Sequence, residues 1–302
     1  MMFDKISIIG CGLIGSSILR NINDNKIGKN VTVYDKSKNV VDIIKREKLC
    51  DNISKDIQSA VKDADLIILC VPLSSYKAIL LEGKDFFKEN SIITDTGSVK
   101  KEINIIFENL NLKNISWIAS HPIAGTEESG PLAGFKELFR DRWTIICENK
   151  NAKKDHVEKL KKFWESIGSK VKMMDTEEHD HVLALTSHLP HVVAYNIVMT
   201  AISADDKFRE SVIKYSAGGL RDFTRIAASD PIMWRDIFID NSKNIINVLD
   251  KFSENLKDFR KAIAEKNGDK LIKFFESTKN VRKEIVKAKQ EVNLPDFGRK
   301  KN

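Results

Sequence analysis

The sequence predicts an α/β domain followed by an all-helical one, and three observations carry that prediction. A short β-rich run, Phe3 to Ile9, enters the glycine-rich stretch GCGLIGSS directly. Apolar strand-like runs then alternate with helical stretches as far as Met174, the pattern of parallel βαβ units. From Glu177 onward only helical periodicity is found. The boundary therefore falls within Asp175 to Glu178, giving parts 1–176 and 177–302.

Composition narrows the class. Of 302 residues, 42% are hydrophobic and 31% charged, values of a globular chain with a substantial core. Cys11, Cys50, Cys70 and Cys147 have no CxxC spacing, which argues against a zinc site or a disulfide framework. No leader-like segment precedes the first strand and no unbroken apolar run reaches the roughly 18 residues of a membrane span. A cytoplasmic protein with no membrane partner is expected. The net charge of +7 is spread over the chain without a nucleic-acid-binding motif. It is expected to favour anionic small ligands rather than nucleic acid.

The first strand and its turn explain one another. Gly10, Gly12 and Gly15 make the G-x-G-x-x-G spacing of a Rossmann-type dinucleotide site: a tight turn, close approach of a pyrophosphate, and helix-on-strand packing. The helix from Leu13 to about Asn25 presents its first N–H groups, at Leu13, Ile14 and Gly15, to the phosphates. A second strand, Val31 to Tyr34, ends in Asp35, where an acidic residue accepts hydrogen bonds from the ribose hydroxyls and repels a 2′-phosphate. NAD is thus the expected cofactor, with Lys36 a partial counterweight.

Helices at Asn39–Lys48 and Ile57–Lys62 lead to Ala64–Pro72, an apolar run suited to a strand buried on both faces. Val71 and Pro72 turn out at its C-terminal edge, beside the cofactor. Ser91 to Asp95 repeats the plan, followed by the turn Thr96-Gly97-Ser98 and a helix from Lys101 to Asn109. Thr96, Gly97 and Ser98 are cofactor-side candidates; Ser98 either caps that helix or faces the nicotinamide.

The strand-like run Ile115 to Ala119 is followed by SHPIAGTEESGP, Ser120 to Pro131. This places His121 at the C-terminal end of a strand, where open α/β sheets meet ligands. A strand at Trp143–Cys147, a helix at Lys153–Ser166 and a strand at Lys170–Met174 complete the first part. Helical segments are expected at His179–Ser203, Asp206–Ser216, Pro231–Lys266 and Gly268–Glu291, with a frayed tail after Pro295.

Two helical stretches carry chemistry. His179, His181, His188 and His191 lie close together, but without HExxH pairing or a cysteine, so no metal is expected. GGLRDFTR, Gly218 to Arg225, breaks the helix and carries Arg221 and Arg225, either a fork for a carboxylate. Ser229 or Asp230 caps the next helix, with Pro231 in its first turn.

IIGCGLIGSS, VPLS, DTGSVK, SHPIAGTEESGP, HD with ALTSHLPH, and GGLRDFTRIAASDPIMW occur in that order from Ile8 to Trp234. In them the chain strongly resembles the prephenate/arogenate dehydrogenase family of tyrosine biosynthesis. The resemblance implies a Rossmann-type domain, a helical domain that forms a homodimer, and NAD(P)-dependent oxidative decarboxylation of prephenate or arogenate. It implies that His121 is the catalytic histidine, accepting a hydrogen bond from the ring C4 hydroxyl, and that Ser98 orients it and the nicotinamide. Arg225 resembles the arginine for the ring carboxylate. Ser187, His191, Gly218 and Trp234 match pocket positions, Asp180 a nearby polar partner, and Thr126 a loop threonine linked to tyrosine sensitivity. The length suggests a single-activity chain. Pyrroline-carboxylate and β-hydroxyacid oxidoreductases lack SHPIAGTE and RDFTRIAASDP, and a non-catalytic NAD sensor has no need of Ser98, His121 and Arg225 together.

The chemistry of these residues agrees. Oxidising a hydroxyl to a carbonyl needs a neutral imidazole to take its proton, with an acid limb expected near an ordinary histidine value of ~6.5. Arginine holds a carboxylate without a proton to lose.

Overall fold

The structure is a computed structural model describing residues 1–112, 114–149, 152–203 and 206–287. The frayed tail and the end of the last helix expected from the sequence lie outside the described residues. The strands are β1 (Phe3–Ile9), β2 (Gly28–Tyr34), β3 (Asn52–Ile53), β4 (Leu66–Leu69), β5 (Ile92–Asp95), β6 (Ser116–Pro122), β7 (Trp143–Glu148) and β8 (Lys170–Met173). They form one sheet in the order β3-β2-β1-β4-β5-β6-β7-β8. All neighbouring pairs are parallel except β6 and β7. The order reverses between β1 and β4, and at such a switch point the strands' C-terminal ends leave a crevice for a ligand.

Around the sheet run α1 (Leu13–Asn25), α2 (Lys38–Arg46), α3 (Ile57–Val61), α4 (Tyr76–Gly83), α5 (Lys101–Leu110) and α6 (Lys154–Ser166). Strand alternation sends side chains to both faces. Leu66 and Ile68 of β4 join one core with Ile8, Ile18, Phe163 and Trp164, whereas Ile67 and Leu69 join the other with Ile93, Phe107 and Trp117. All four residues of β4 and all seven of β6 are buried. The N-terminal α/β architecture is as the sequence predicts. The two-residue β3 and the helix α4 are additions, too short or too weakly patterned to read from periodicity.

Beyond Met173 every regular element among the described residues is helical: α7 (Thr176–Leu183), α8 (Leu189–Ile202), α9 (Asp206–Lys214), α10 (Gly218–Thr224), α11 (Pro231–Asp240), α12 (Ser242–Ala264) and α13 (Gly268–Lys287). Asp230 caps α11, accepting from Met233 N at 2.8 Å, which resolves the choice between Ser229 and Asp230. The chain forms two compact units, Met1–Ile245 and a second beginning at Ile246; α7 to α11 thus lie in the same unit as the sheet. In the second unit Phe259 of α12 packs on Phe274 and Phe275 of α13, with ring centroids 4.8 and 6.3 Å apart.

A π-turn at Ala184–His188 joins α7 to α8. Pro190 has no N–H, and its ring opposes the carbonyl four residues earlier; the ladder shifts instead, and Leu189 N–H bonds to Ala184 O. The run Thr176–Ile202 is therefore continuous, 27 residues long, and one 18-residue window reaches a mean hydropathy of 1.3. By length and composition alone it is long and apolar enough to cross a membrane. Polar residues break the apolar stretch without lowering its average much.

Candidate active site

The glycine turn is built as its spacing predicts. Gly10 has φ +91°, and a Cβ there would run into the Cys70 carbonyl and lie 2.6 Å from Val71 Cγ1. A Cβ on Gly15 would strike the Gly10 carbonyl, whereas one on Gly12 would meet no atom within 4 Å. The open side of Gly12 is where a ligand can come close to the protein backbone. No side chain caps the first turn of α1, so the N–H groups of Leu13 and Ile14 suit an anion. Asp35 is held at the tip of β2: Oδ2 accepts from Cys11 N and Oδ1 from Ser37 N, both at 2.8 Å. These residues fit a dinucleotide.

A buried ion pair ties the neighbouring strand ends together. The Lys100 ammonium donates to the Asp95 carboxylate and, at 2.9 Å, to Ser120 O, with both charged side chains fully buried. Asp95 also accepts from Ser120 N at 3.0 Å and Gly97 N at 2.9 Å. One carboxylate thus fixes the Thr96–Ser98 turn against the strand that carries His121. Ser98 is half-buried and does not cap α5. Asp180 does, accepting from Lys100 N at 2.8 Å and Lys101 N at 3.0 Å.

His121 lies within β6 rather than after the strand, opposite Ile145 of β7, because the antiparallel β7 extends the pairing to Pro122. Its Nδ1 is 2.9 Å from His179 Nε2, and His179 Nδ1 is 2.8 Å from Asp180 Oδ1. Burial, then the neighbouring His179, Lys100 and His188, push the His121 pKa well below its ordinary value.

A second cluster surrounds Trp234, whose ring stacks on His191 with centroids 3.5 Å apart. His191 Nδ1–H donates to Ser187 O at 2.8 Å, and burial brings the His191 pKa down to about 4. Asn241 links the two clusters, donating to Asp180 O at 2.7 Å and lying 3.1 Å from His188 Nδ1. Burial likewise lowers His188 to about 4. His188 Nε2 and Trp234 Nε1 are buried and have no hydrogen-bond partner among the described residues.

Arg225 Nη1 donates to Glu127 Oε2 at 2.9 Å, which brings α10's C-terminal end to the loop after β6. In that loop Thr126 Oγ1 accepts from Glu128 N at 3.2 Å. Arg221 instead pairs with Asp222 at 3.5 Å and is largely exposed. Gly218 opens α10, exposed. The structure thus joins His121, His179 and Asp180 in one string and Ser187, His191 and Trp234 in another. Ser98 and His121 share no hydrogen bond. Sequence reasoning missed Lys100, Asn241 and Glu127, which reach Ser120, Asp180 and Arg225 across 20 or more residues, and took His179 only as a cluster member.

A family model described as the prephenate dehydrogenase nucleotide-binding domain matches residues 18–173, and one described as the prephenate dehydrogenase dimerization domain matches residues 175–277. Cyclohexadienyl dehydrogenase of Zymomonas mobilis is 42% identical over 281 residues, 93% of this chain and 96% of that one. Prephenate dehydrogenase of Bacillus subtilis is 29% identical over 98% of this chain and 80% of its own. Among solved structures, prephenate dehydrogenase from Aquifex aeolicus in complex with hydroxyphenyl propionate and NAD+ has a TM-score of 0.86 at 30% identity, covering 93% of this chain and 98% of that one. With both halves matched, the chain belongs to the prephenate dehydrogenase family.

Proposed function

We propose that the protein is an NAD-dependent dehydrogenase that converts prephenate to 4-hydroxyphenylpyruvate with loss of CO2. The observation that carries this reading is His121, a buried imidazole kept neutral by its surroundings at the C-terminal end of β6, on the sheet edge of the dinucleotide crevice and two strands from β4. Bound NAD supplies the acceptor for the hydride leaving ring C4. His121 accepts the C4 hydroxyl proton, Ser98 orients the histidine and nicotinamide, and Arg225 holds the ring carboxylate. Ser187, His191, Gly218, Trp234 and Thr126 line the substrate site. The N–H donors of His188 and Trp234 that lack an acceptor among the described residues suit an oxygen-rich anion. Gly10, Gly12, Leu13, Ile14, Gly15, Asp35, Val71, Pro72, Thr96 and Gly97 hold the cofactor.

The functional division proposed is residues 1–176 for the cofactor and 177–302 for substrate and dimerisation, supported by the ranges of the two family models. The free thiols of Cys11, Cys50, Cys70 and Cys147 support a reducing, cytoplasmic setting. The name of the Zymomonas mobilis relative favours a second reading, in which arogenate is also oxidised. Both substrates share the ring and differ only in a side-chain keto or amino group. Parallel assays of NADH formation with prephenate and with arogenate test both readings. No NADH from either substrate would sink the proposal.

A further inference from the structure

The hydrogen bonds beside His121 run in one direction, and that direction selects its free nitrogen. Asp180 Oδ1 and Oδ2 accept from the backbone N–H groups of Lys100 and Lys101. Backbone donors cannot reverse, so the carboxylate offers lone pairs to its third neighbour as well. That neighbour is His179 Nδ1, 2.8 Å from Oδ1, and the hydrogen is placed on it. Burial holds the His179 pKa below its ordinary value, against the opposing pull of Asp180. Neutral His179 therefore has a bare Nε2, which lies 2.9 Å from His121 Nδ1. His121 donates from Nδ1, and its Nε2 is left as the acceptor.

We propose that His179 and Asp180 are positioning residues that hold His121 in its Nδ1–H tautomer, presenting Nε2 to the substrate hydroxyl. The inference rests on the reading of His121 given above and extends it to the two residues behind it in the hydrogen-bonded string. The hydroxyl proton passes to Nε2, and the O–H bonding pair stays with oxygen to form the carbonyl. The resulting imidazolium keeps its Nδ1–H bond to His179, whose own Nδ1–H faces the Asp180 carboxylate. Lys100 and His188 oppose a charge on His121, and Lys100 also opposes one on His179, where Asp95 and Asp180 favour it. Asp180 is thus the negative group hydrogen-bonded into the string. Because it also caps α5, the same side chain sets the end of the turn that carries Ser98.

Nitrogen-15 NMR of the full chain with NAD bound, histidine-labelled at neutral pH, reads the tautomer directly. The His121 signal, assigned by its loss in His121→Asn, should show a protonated Nδ1 and a bare Nε2. The reverse tautomer would overturn the proposal even if no His179 variant folds. In steady-state assays with prephenate, His179→Phe keeps ring bulk but cannot accept a hydrogen bond. It should lower kcat on the order of 10–10³-fold, a share of what a general base contributes, with the KM for NAD unchanged. His179→Gln, which retains an acceptor, should recover most of that loss. A fully active His121→Asn enzyme would remove the reading of His121 itself. An inactive His121→Asn beside a fully active His179→Phe would overturn only the role given to His179 and Asp180.

Discussion

His191 lies flat against the indole of Trp234, with ring centroids 3.5 Å apart and planes 23° from parallel. The stack is held from both sides. His191 donates to the Ser187 carbonyl, and Trp234 packs on Phe238 with centroids 5.4 Å apart. Trp234→Ala empties a buried site, which costs about 3–5 kcal/mol. It should lower Tm and raise the substrate KM more than the NAD KM. Trp234→Phe should keep most of both. An unchanged Tm in Trp234→Ala would mean that the indole supports nothing.

The buried histidines set a pH dependence. His121, His188 and His191 all have pKa values below the ordinary ~6.5, the last two at about 4. Between that value and the folded one, the unfolded chain binds more protons than the native protein. Stability is therefore full above pH ~6.5 and falls as pH drops toward the folded values. Melting curves from pH 7 to 4 should show Tm falling. The acid limb of kcat should also lie below the ~6.5 expected from sequence, because burial disfavours the protonated base. A limb at or above 6.5 would assign it to another group.

Much of this architecture was legible in short-range pattern. The GCGLIGSS turn, the acidic tip at Asp35 and the switch to helical periodicity each depend on residues close in sequence, and each is found as predicted. What escaped depends on distance in sequence. Lys100 finds Ser120 and Asp180 finds the start of α5 only when strands and helices close together. The extension of β6 through His121 is set by β7, more than 20 residues on. The π-turn is the intermediate case: Pro190 foretells a disturbed helix, but not that Leu189 would bond back to Ala184 instead of ending it.

α8 is poorly covered among the described residues. It is apolar nearly all round, yet only Ala194 in it is fully buried, and Met199 is 63% exposed. A helix of that composition is normally enclosed, and a second copy is the partner that the dimerization-domain match suggests. Sedimentation should find a dimer at micromolar concentration, and Met199→Glu should weaken it. A stable monomer of the unmodified protein would refute the dimer.

Asp35 bears on cofactor choice. Its carboxylate is oriented by Cys11 N and Ser37 N, which fixes it in advance for the ribose contact proposed for it. Catalytic efficiency should favour NAD over NADP, and Asp35→Ser should narrow the gap. Equal use of the two cofactors by the unmodified enzyme would count against this assignment.

Arg225 and Arg221 sit four residues apart in α10 and at its end, and the structure separates them. Arg225 is 31% exposed and bonded to Glu127, whereas Arg221 is 74% exposed and paired with its neighbour Asp222. Exposed pairs of that kind contribute little. Arg225 also acts on His191, being among the groups that lower its pKa, which ties it to the Trp234 cluster. A charge-assisted bond to a substrate carboxylate is worth ~1.5–3 kcal/mol, so Arg225→Ala should raise the substrate KM about tenfold or more. Arg225→Lys keeps the charge but loses the two-pronged geometry and should recover only part. The NAD KM should not move in either variant. Arg221→Ala is the control and should leave the substrate KM unchanged. If Arg221→Ala alone raised it tenfold, the carboxylate would belong to the exposed arginine, and Glu127 would hold Arg225 for structure only.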